Sequence, residues 1–122
     1  MVLKRRNNVL QAEIWLFDPD PVIGTEIGKK VRPGLILSCN SVNKGPADLV
    51  IIVPITSQDK GISSHVRIDP PQGGLQKTSF AACEQIRAIS KERLIKKVGT
   101  ISSRELLQEV HGWVLDLIWL EI

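Results

Sequence analysis

The polar side chains best suited to act on a charged substrate lie at the ends of apolar runs. Arg32 stands directly before Pro33 in GKKVRPGLILSCN (28–40), and Thr56 ends the run LVIIVPIT (49–56). A following proline restricts residue 32 to an extended conformation, so Arg32 is predicted at a strand entrance, able to aim its guanidinium at an anion. A guanidinium is a planar, permanently charged donor that suits phosphate oxygens. Ordinary surface ion pairing is the alternative.

A second group of polar side chains interrupts or alternates with apolar stretches. His65 begins HVRID and is predicted to point outward from its strand. Glu84, Gln85 and Arg87 interrupt TSFAACEQIRAI (78–89). Polar residues within apolar strands need partners, which favours a cluster of these side chains. Taken alone, the pattern fits ordinary ion pairs and hydrogen bonds as well as a binding site.

Several common catalytic signatures are missing from the sequence. It has no glycine-rich phosphate loop, no nucleophile elbow and no His/Cys spacing typical of zinc, so no metal or cofactor is expected. Cys39 and Cys83 fit no metal or disulfide pattern, and both are predicted to be small buried apolar residues.

Short apolar runs separated by turn residues predict a small β domain. The turn residues cluster in the loops 18–30, 40–48 and 70–77. SKERLIKK (90–97) is predicted to form one or two helical turns with Ser90 as N-cap. The predicted strands are 13–17, 33–39, 49–56, 65–69 and 78–89, with 98–101 closing the sheet.

The hydrophobic period changes near the end of the chain and predicts a terminal helix. SSRE (102–105) resembles a capping box, with Ser102 as N-cap and Glu105 as its partner. Trp119 is predicted to belong to the same apolar face. Together the elements indicate a strongly bent antiparallel sheet or barrel capped by a helix. The apolar residues at helical spacing are Leu106, Leu107, Val110, Trp113, Val114, Leu117 and Ile118.

Length and charge narrow the class of protein. A chain of 122 residues with 43% hydrophobic residues suits one globular domain, and no apolar run approaches the roughly 20 residues of a membrane span. We therefore expect a cytoplasmic protein. The net charge is +3, but residues 81–100 hold five cations against two anions, which suggests a polyanionic partner. With only five Trp and Phe residues and no Tyr, an aromatic base-stacking platform is not expected.

Four segments in order resemble the MazF/PemK family of toxins from bacterial toxin–antitoxin pairs. The resemblance extends over residues 11 to 120, and the ordered set EIWL, GTEIG, RP, TS and EQIR makes it specific. The four segments are AEIWLFDPDPVIGTEIGKKVRPGLILSCN (12–40), VPITSQ (53–58), HVRIDPPQGGLQKTSFAACEQIRAISKERL (65–94) and VGTIS (98–102).

The resemblance implies a mainly β, SH3-like barrel with a C-terminal helix, formed by residues 11–122. It also implies a homodimer and a metal-independent, sequence-specific endoribonuclease. Such an enzyme cuts single-stranded RNA by 2′-OH transesterification, leaves a 2′,3′-cyclic phosphate and a 5′-hydroxyl, and is neutralised by a cognate antitoxin. Residues 1–10, with KRR at 4–6, lie outside the match and are expected to form a basic N-terminal extension or a frayed terminus.

The resemblance also assigns roles to individual residues. The family's key Arg and Thr match Arg32 and Thr56. Because the 2′-OH is an internal nucleophile, cleavage needs no metal ion if Arg32 stabilises the charge on the reacting phosphate. A guanidinium holds its own proton too tightly to serve well as the general base. The base stays unassigned. The residues expected to contact RNA are Thr25, Glu26, Gly28, His65, Gln85 and Arg87.

This sequence departs from the family pattern in places. Some branches have a His in the first loop and an Arg–x–Asp pair on the EQIR strand, where this chain has Thr25, Ala82 and Glu84. The alternative is a non-enzymatic binding module on the same fold, such as a gyrase-poison relative or an inactive toxin that binds only its antitoxin. The presence of both Arg32 and Thr56 favours the enzyme.

Overall fold

A computed structural model describes residues 8–19 and 31–121. Within these ranges the chain forms an antiparallel sheet of seven strands and a C-terminal helix, as the sequence predicts. The described helices are the single turn α1 (Asn40–Asn43) and the long α2 (Arg104–Leu117). The strands are β1 (Glu13–Phe17), β2 (Arg32–Ile36), β3 (Leu49–Thr56), β4 (His65–Ile68), β5 (Ser79–Ala82), β6 (Arg87–Ser90) and β7 (Leu94–Thr100).

The long strand β3 organises the sheet because its two halves pair with different strands. The strand order is β4-β5-β3-β2-β1-β7. Residues 49–52 pair with β6, while Ile55 and Thr56 pair with β5. This division bends the sheet toward a barrel and places the end of β3 next to the start of β2.

The two edges of the sheet approach each other through glycine backbone. Strand pairing among the described residues does not join β4 to β7; instead, the turn Gln72–Gly74 packs against β7. A Cβ atom on Gly99 would lie 2.5 Å from the carbonyl oxygen of Gly73. Gly73 and Gly74 both have positive φ, which glycine adopts without steric cost. Glycine at these positions therefore lets this turn and β7 approach each other by direct backbone contact.

The interior contains two groups of buried apolar side chains. The larger packs beneath α2 and includes Ile14, Leu35 and Val110. The smaller is built around Phe17 and also contains Val9, which is fully buried. Val9, which lies within the segment expected to form the N-terminal extension, therefore packs into the folded domain.

Several element boundaries differ from the sequence predictions; β2, for example, ends at Ile36 and not at residue 39. The predicted strand 78–89 is two strands, because the turn Cys83–Gln85 interrupts it. The predicted helical segment 90–97 has one turn, Lys91–Arg93, capped by the Ser90 hydroxyl, and then continues as β7. The predicted loop 40–48 contains α1.

The ends of α2 also differ from the predictions. The N-cap is Ser103, not Ser102, and its hydroxyl accepts a hydrogen bond from the Leu106 N–H. Trp119 was predicted to be core, but it is 72% exposed. Leu117 and Ile118 are exposed as well. Among the described residues, no helix is both long enough and apolar enough to cross a membrane.

The two cysteines have different environments. Cys83 is buried as expected, and burial, followed by the nearby carboxylates of Glu84 and Glu109, raises the pKa of its thiol to about 11. Cys39 is exposed at the start of α1, so the prediction of a buried residue was wrong there.

Candidate functional site

Arg32 and Thr56 line the same pocket, which has a volume of about 660 Å³. Arg32 begins β2 and Thr56 ends β3, and these strands are antiparallel neighbours with Gly34 opposite Pro54. Continuing that register by two residues places Arg32 opposite Thr56. The pairing of β2 with β3 therefore brings together two residues that are 24 positions apart.

The Thr56 hydroxyl is oriented by the loop that follows it. The backbone N–H of Gln58 donates a hydrogen bond to Thr56 Oγ1 over 3.1 Å. A hydroxyl that accepts one hydrogen bond still has its own hydrogen to donate. Thr56 can thus present a donor to an anionic oxygen in the pocket.

The described part of the pocket lining is cationic. Arg32, Lys60 and Lys77 line it, and none of its described lining residues is acidic. The lysines come from the loops that follow β3 and precede β5. Concave walls with charges of one sign concentrate the field and attract an anion. The other described lining residues are Leu16, Pro33, Ile55, Ser57, Gln58, Gly74, Leu75, Gln76, Ser79 and Val98.

A second pocket, of about 260 Å³, shares Arg32 with the first. Its described lining includes Gln85 and Arg87, together with Phe17, Pro19 and Pro54. Arg87 begins β6 opposite Ile52 of β3, and Gln85 ends the turn just before it. Arg32 therefore lies between Thr56 on one side and the pair Gln85 and Arg87 on the other. This arrangement suits an elongated ligand with several phosphate groups better than a compact ligand.

His65 lies outside both pockets. Its side chain is only 3% exposed, and its Nε2 lies 2.8 Å from Oε2 of Glu84. His65 lies on the strand face opposite the buried Val66 and Ile68, as predicted, but its imidazole is enclosed there through its contact with Glu84.

Glu84 holds both neighbouring residues at the start of β4. Its Oε1 accepts a hydrogen bond from the Ser64 hydroxyl over 2.5 Å, and its Oε2 contacts His65. Burial acts to raise the pKa of Glu84, but these hydrogen bonds outweigh it, so the pKa lies below its usual range. Glu84 is thus an ionised anchor beside the second pocket.

Thr25, Glu26 and Gly28 fall outside the described residues. Conversely, Lys60 and Lys77 line the first pocket but were not predicted as site residues. Lys60 lies in the polar loop that follows β3, the strand that carries Thr56, and Lys77 lies in the loop that precedes β5. That position is the only signal in the sequence that could have identified them.

Residues 10–117 match the family model of the PemK-like, MazF-like toxins of type II toxin–antitoxin systems. The chain belongs to this family. The resemblance seen in the sequence is therefore confirmed, and the match extends over both strands that carry Arg32 and Thr56.

Curated relatives of this MazF-like chain are named endoribonucleases. Endoribonuclease MazF9 of Mycobacterium tuberculosis is 35% identical over 115 residues, which cover 89% of this chain and 97% of the relative. Endoribonuclease EndoA of Bacillus subtilis is 33% identical over 103 residues, covering 84% and 87%. These relatives confirm the enzyme class expected from the sequence.

Solved structures show the same fold. A MazE–MazF structure from Deinococcus radiodurans has a TM-score of 0.77 at 22% identity, covering 93% of this chain and 97% of the matched chain. The Mycobacterium tuberculosis toxin MazF-mt6 has a TM-score of 0.72 at 22% identity, with coverage of 90% and 99%. The mainly β fold with a C-terminal helix is thus confirmed.

Proposed function

We propose that this MazF-like toxin is a sequence-specific endoribonuclease that cleaves single-stranded RNA without a metal ion. The observation that carries the proposal is the position of Arg32 between two pockets, with Thr56 on one side and Arg87 on the other. A single-stranded RNA that runs through both pockets would place one phosphate at Arg32 and its neighbours beside the other cations.

The proposed reaction is an internal transesterification. The 2′-OH gives up its proton to water as its oxygen attacks the adjacent phosphorus, the bond from phosphorus to the 5′-oxygen breaks, and the departing 5′-oxygen takes a proton from water. The products are a 2′,3′-cyclic phosphate and a 5′-hydroxyl. Arg32 neutralises the charge that grows on the phosphoryl oxygens, and its planar fork can contact two of them. Thr56 donates its free hydrogen to a third oxygen or orients the 2′-OH. The proton acceptor is not Arg32, since a guanidinium keeps its proton up to a pH of about 12.

Sequence specificity is assigned to the residues around this centre. Gln85 offers both a donor and an acceptor to a base edge in the second pocket, and Arg87 binds a neighbouring phosphate. The predicted contacts from Thr25, Glu26 and Gly28 belong to the same proposal. Which bases are selected depends on these side chains and not on Arg32, because phosphate contacts carry no sequence information.

The test is cleavage of a long single-stranded RNA in the presence of EDTA, with the chemistry of both new ends mapped. We expect cuts at one short motif, with a cyclic phosphate and a 5′-hydroxyl at each cut. The Arg32→Ala variant, purified in parallel, controls for contaminating nucleases. If the wild-type protein and the variant leave the same RNA intact, the non-enzymatic binding module is the better explanation.

A second proposed partner is an antitoxin. One of the solved relatives is described as an endoribonuclease in complex with its cognate antitoxin, and others are MazE–MazF structures. We propose that an acidic, disordered antitoxin segment occupies the cationic pockets around Arg32, Lys60 and Lys77, folding as it binds. Bound antitoxin should then weaken RNA affinity strongly. Unchanged RNA affinity in the complex would contradict a shared site.

The proposed assembly is a homodimer, and exposed apolar side chains at the end of α2 support it. Ile118, Trp119 and Leu120 are 69%, 72% and 74% exposed in the single chain. Consecutive large apolar side chains left in water commonly mark an interaction surface. Sedimentation at micromolar protein should give a dimer, and Trp119→Glu should shift it toward monomer. A wild-type monomer that retains cleavage activity would contradict the proposal.

A further inference from the structure

The turn Cys83–Gln85 is tied to the start of β4 by three hydrogen bonds. The Ser64 hydroxyl and the His65 Nε2 each bind one oxygen of Glu84, at 2.5 and 2.8 Å. The backbone N–H of Cys83 donates to the carbonyl oxygen of Ser64 over 3.2 Å. Both carboxylate oxygens of Glu84 are therefore engaged by neighbouring residues of one segment. Such a double attachment fixes the direction in which the turn leaves β5.

This attachment lies directly beside the second pocket. Gln85, which follows Glu84, lines that pocket, and so does Arg87 two residues later. The turn itself closes with a hydrogen bond from the Ile86 N–H to the carbonyl oxygen of Cys83, at 3.2 Å. If Glu84 were free to move, Gln85 and Arg87 would therefore be the first pocket residues to be displaced.

The His65 imidazole is in the wrong place to touch a ligand itself. Its side chain is 3% exposed and lines neither pocket. Its Nδ1 is buried and, among the described residues, has no hydrogen-bond partner. A buried polar atom without a partner costs free energy, and the hydrogen bond made by the other ring nitrogen offsets that cost. In the part of the chain that the structure describes, that nitrogen contacts Glu84.

We propose that His65 and Ser64 are positioning residues that act through Glu84, holding the Cys83–Gln85 turn so that Gln85 and Arg87 face the RNA. This inference rests on the proposed RNA cleavage, and it departs from direct contact between His65 and RNA. This clamp, formed by Ser64, His65 and Glu84, orients the side chains that bind a nucleotide in the second pocket. The chemical step belongs to Arg32 and Thr56.

The clamp itself is tested without RNA, by hydrogen exchange of the Ile86 amide. In His65→Leu we expect this amide to exchange about tenfold to a hundredfold faster, the range typical for loss of a hydrogen bond to a charged group. In His65→Gln the side-chain amide nitrogen replaces Nε2 and should restore slow exchange. Arg67→Leu is the matched control, since it removes an exposed ion pair with Asp69 from the same strand. Equal exchange in wild type and His65→Leu would overturn the clamp.

The consequence for RNA is tested by steady-state cleavage of the wild-type motif. We expect His65→Leu to raise KM about tenfold to a hundredfold with kcat nearly unchanged, and to relax selection at one nucleotide. His65→Gln should recover most of the lost affinity. In a Gln85→Ala, Arg87→Ala background, His65→Leu should add little, because it acts through those side chains. An undiminished effect in that background would show that His65 contacts RNA directly and would overturn the inference.

The remaining outcomes are also decisive. A drop in kcat with unchanged KM and unchanged selectivity would mean a structural role only, and would overturn the inference. If His65→Leu does not fold, as judged by thermal unfolding, Ser64→Ala removes the other half of the clamp and is expected to raise KM in the same direction. Wild-type protein that cleaves no RNA would refute the proposed function, and with it the role in RNA selection; the exchange measurement then still decides whether the clamp exists.

Discussion

Replacing Arg32 affects both pockets at once, because it is the one described residue that lines both. Arg32→Ala removes a cation from the proposed scissile phosphate, and loss of one such transition-state contact typically lowers kcat by about 10²–10³. It also removes a charge-assisted hydrogen bond to bound RNA, worth about 1.5–3 kcal/mol, which corresponds to a KM increase of roughly tenfold to a hundredfold. The combined loss in kcat/KM is therefore about 10³–10⁵.

Companion variants show which part of that loss belongs to which pocket. Arg32→Lys keeps the charge but not the fork, so it should recover only part of kcat. Thr56→Val should lower kcat by less than Arg32→Ala does, because it removes a neutral hydroxyl from the first pocket alone. Gln85→Ala should raise KM and leave kcat nearly unchanged.

The assay is single-turnover cleavage of one RNA across a range of enzyme concentrations, which separates binding from chemistry. Circular dichroism checks the fold, and Arg104→Ala, an exposed residue of α2 outside both pockets, controls for loss of one positive charge. Near wild-type rates for Arg32→Ala would refute the reasoning. Equal losses of cleavage rate in Arg32→Ala and Arg104→Ala would show that Arg32 acts only through long-range electrostatics.

Three further predictions concern the scaffold. Gln72→Ala should lower the free energy of unfolding by about 1–2 kcal/mol in urea, because its Oε1 accepts hydrogen bonds from the two backbone N–H groups that precede α2. Gly99→Ala should destabilise by about 1–3 kcal/mol or more, since its Cβ would meet backbone atoms, whereas Gly112→Ala, with nothing within 4 Å in the middle of α2, should stabilise by about 1 kcal/mol; the reverse order in urea unfolding would contradict the close glycine packing. Glu84 has a lowered pKa when folded, so it contributes stability above its ordinary value of 4.5 that is lost as pH falls through the folded pKa. Glu84→Gln should therefore flatten the acid side of the stability curve, and an unchanged acid slope would show that Glu84 does not carry it.

The sequence was most informative where local chemistry decides the structure. EIWLF and LVIIVPIT were predicted as strands with the bounds that β1 and β3 have. Both are runs of β-branched or aromatic residues that end at turn-forming residues, and such runs have few alternatives. Arg32 and Thr56 were identified for the same reason, since each lies at a strand end that the sequence marks.

Long-range contacts account for two of the predictions that failed. The Ser102 hydroxyl, which was predicted to cap the helix, instead accepts a hydrogen bond from the side-chain amide of Gln72, 30 residues away. The split of segment 78–89 depends on Glu84 reaching back to residues 64 and 65. A polar residue inside an apolar run has the same local pattern whether it continues a strand or begins a turn. The pattern alone therefore could not place the break.

The position of Arg32 is set by the core as much as by the proline that follows it. In β2, Arg32, Gly34 and Ile36 alternate onto one face, and Ile36 is buried beside Phe17 in the smaller core group. A Cβ on Gly34 would lie 2.9 Å from the Phe17 ring, so the absence of a side chain there lets that ring pack against the backbone of β2. Phe17 is also the strand partner of Arg32 and lines the second pocket. The buried ring therefore fixes the strand end and forms part of the pocket wall beside the guanidinium. Core packing around Phe17 thus sets the geometry of the proposed phosphate contact.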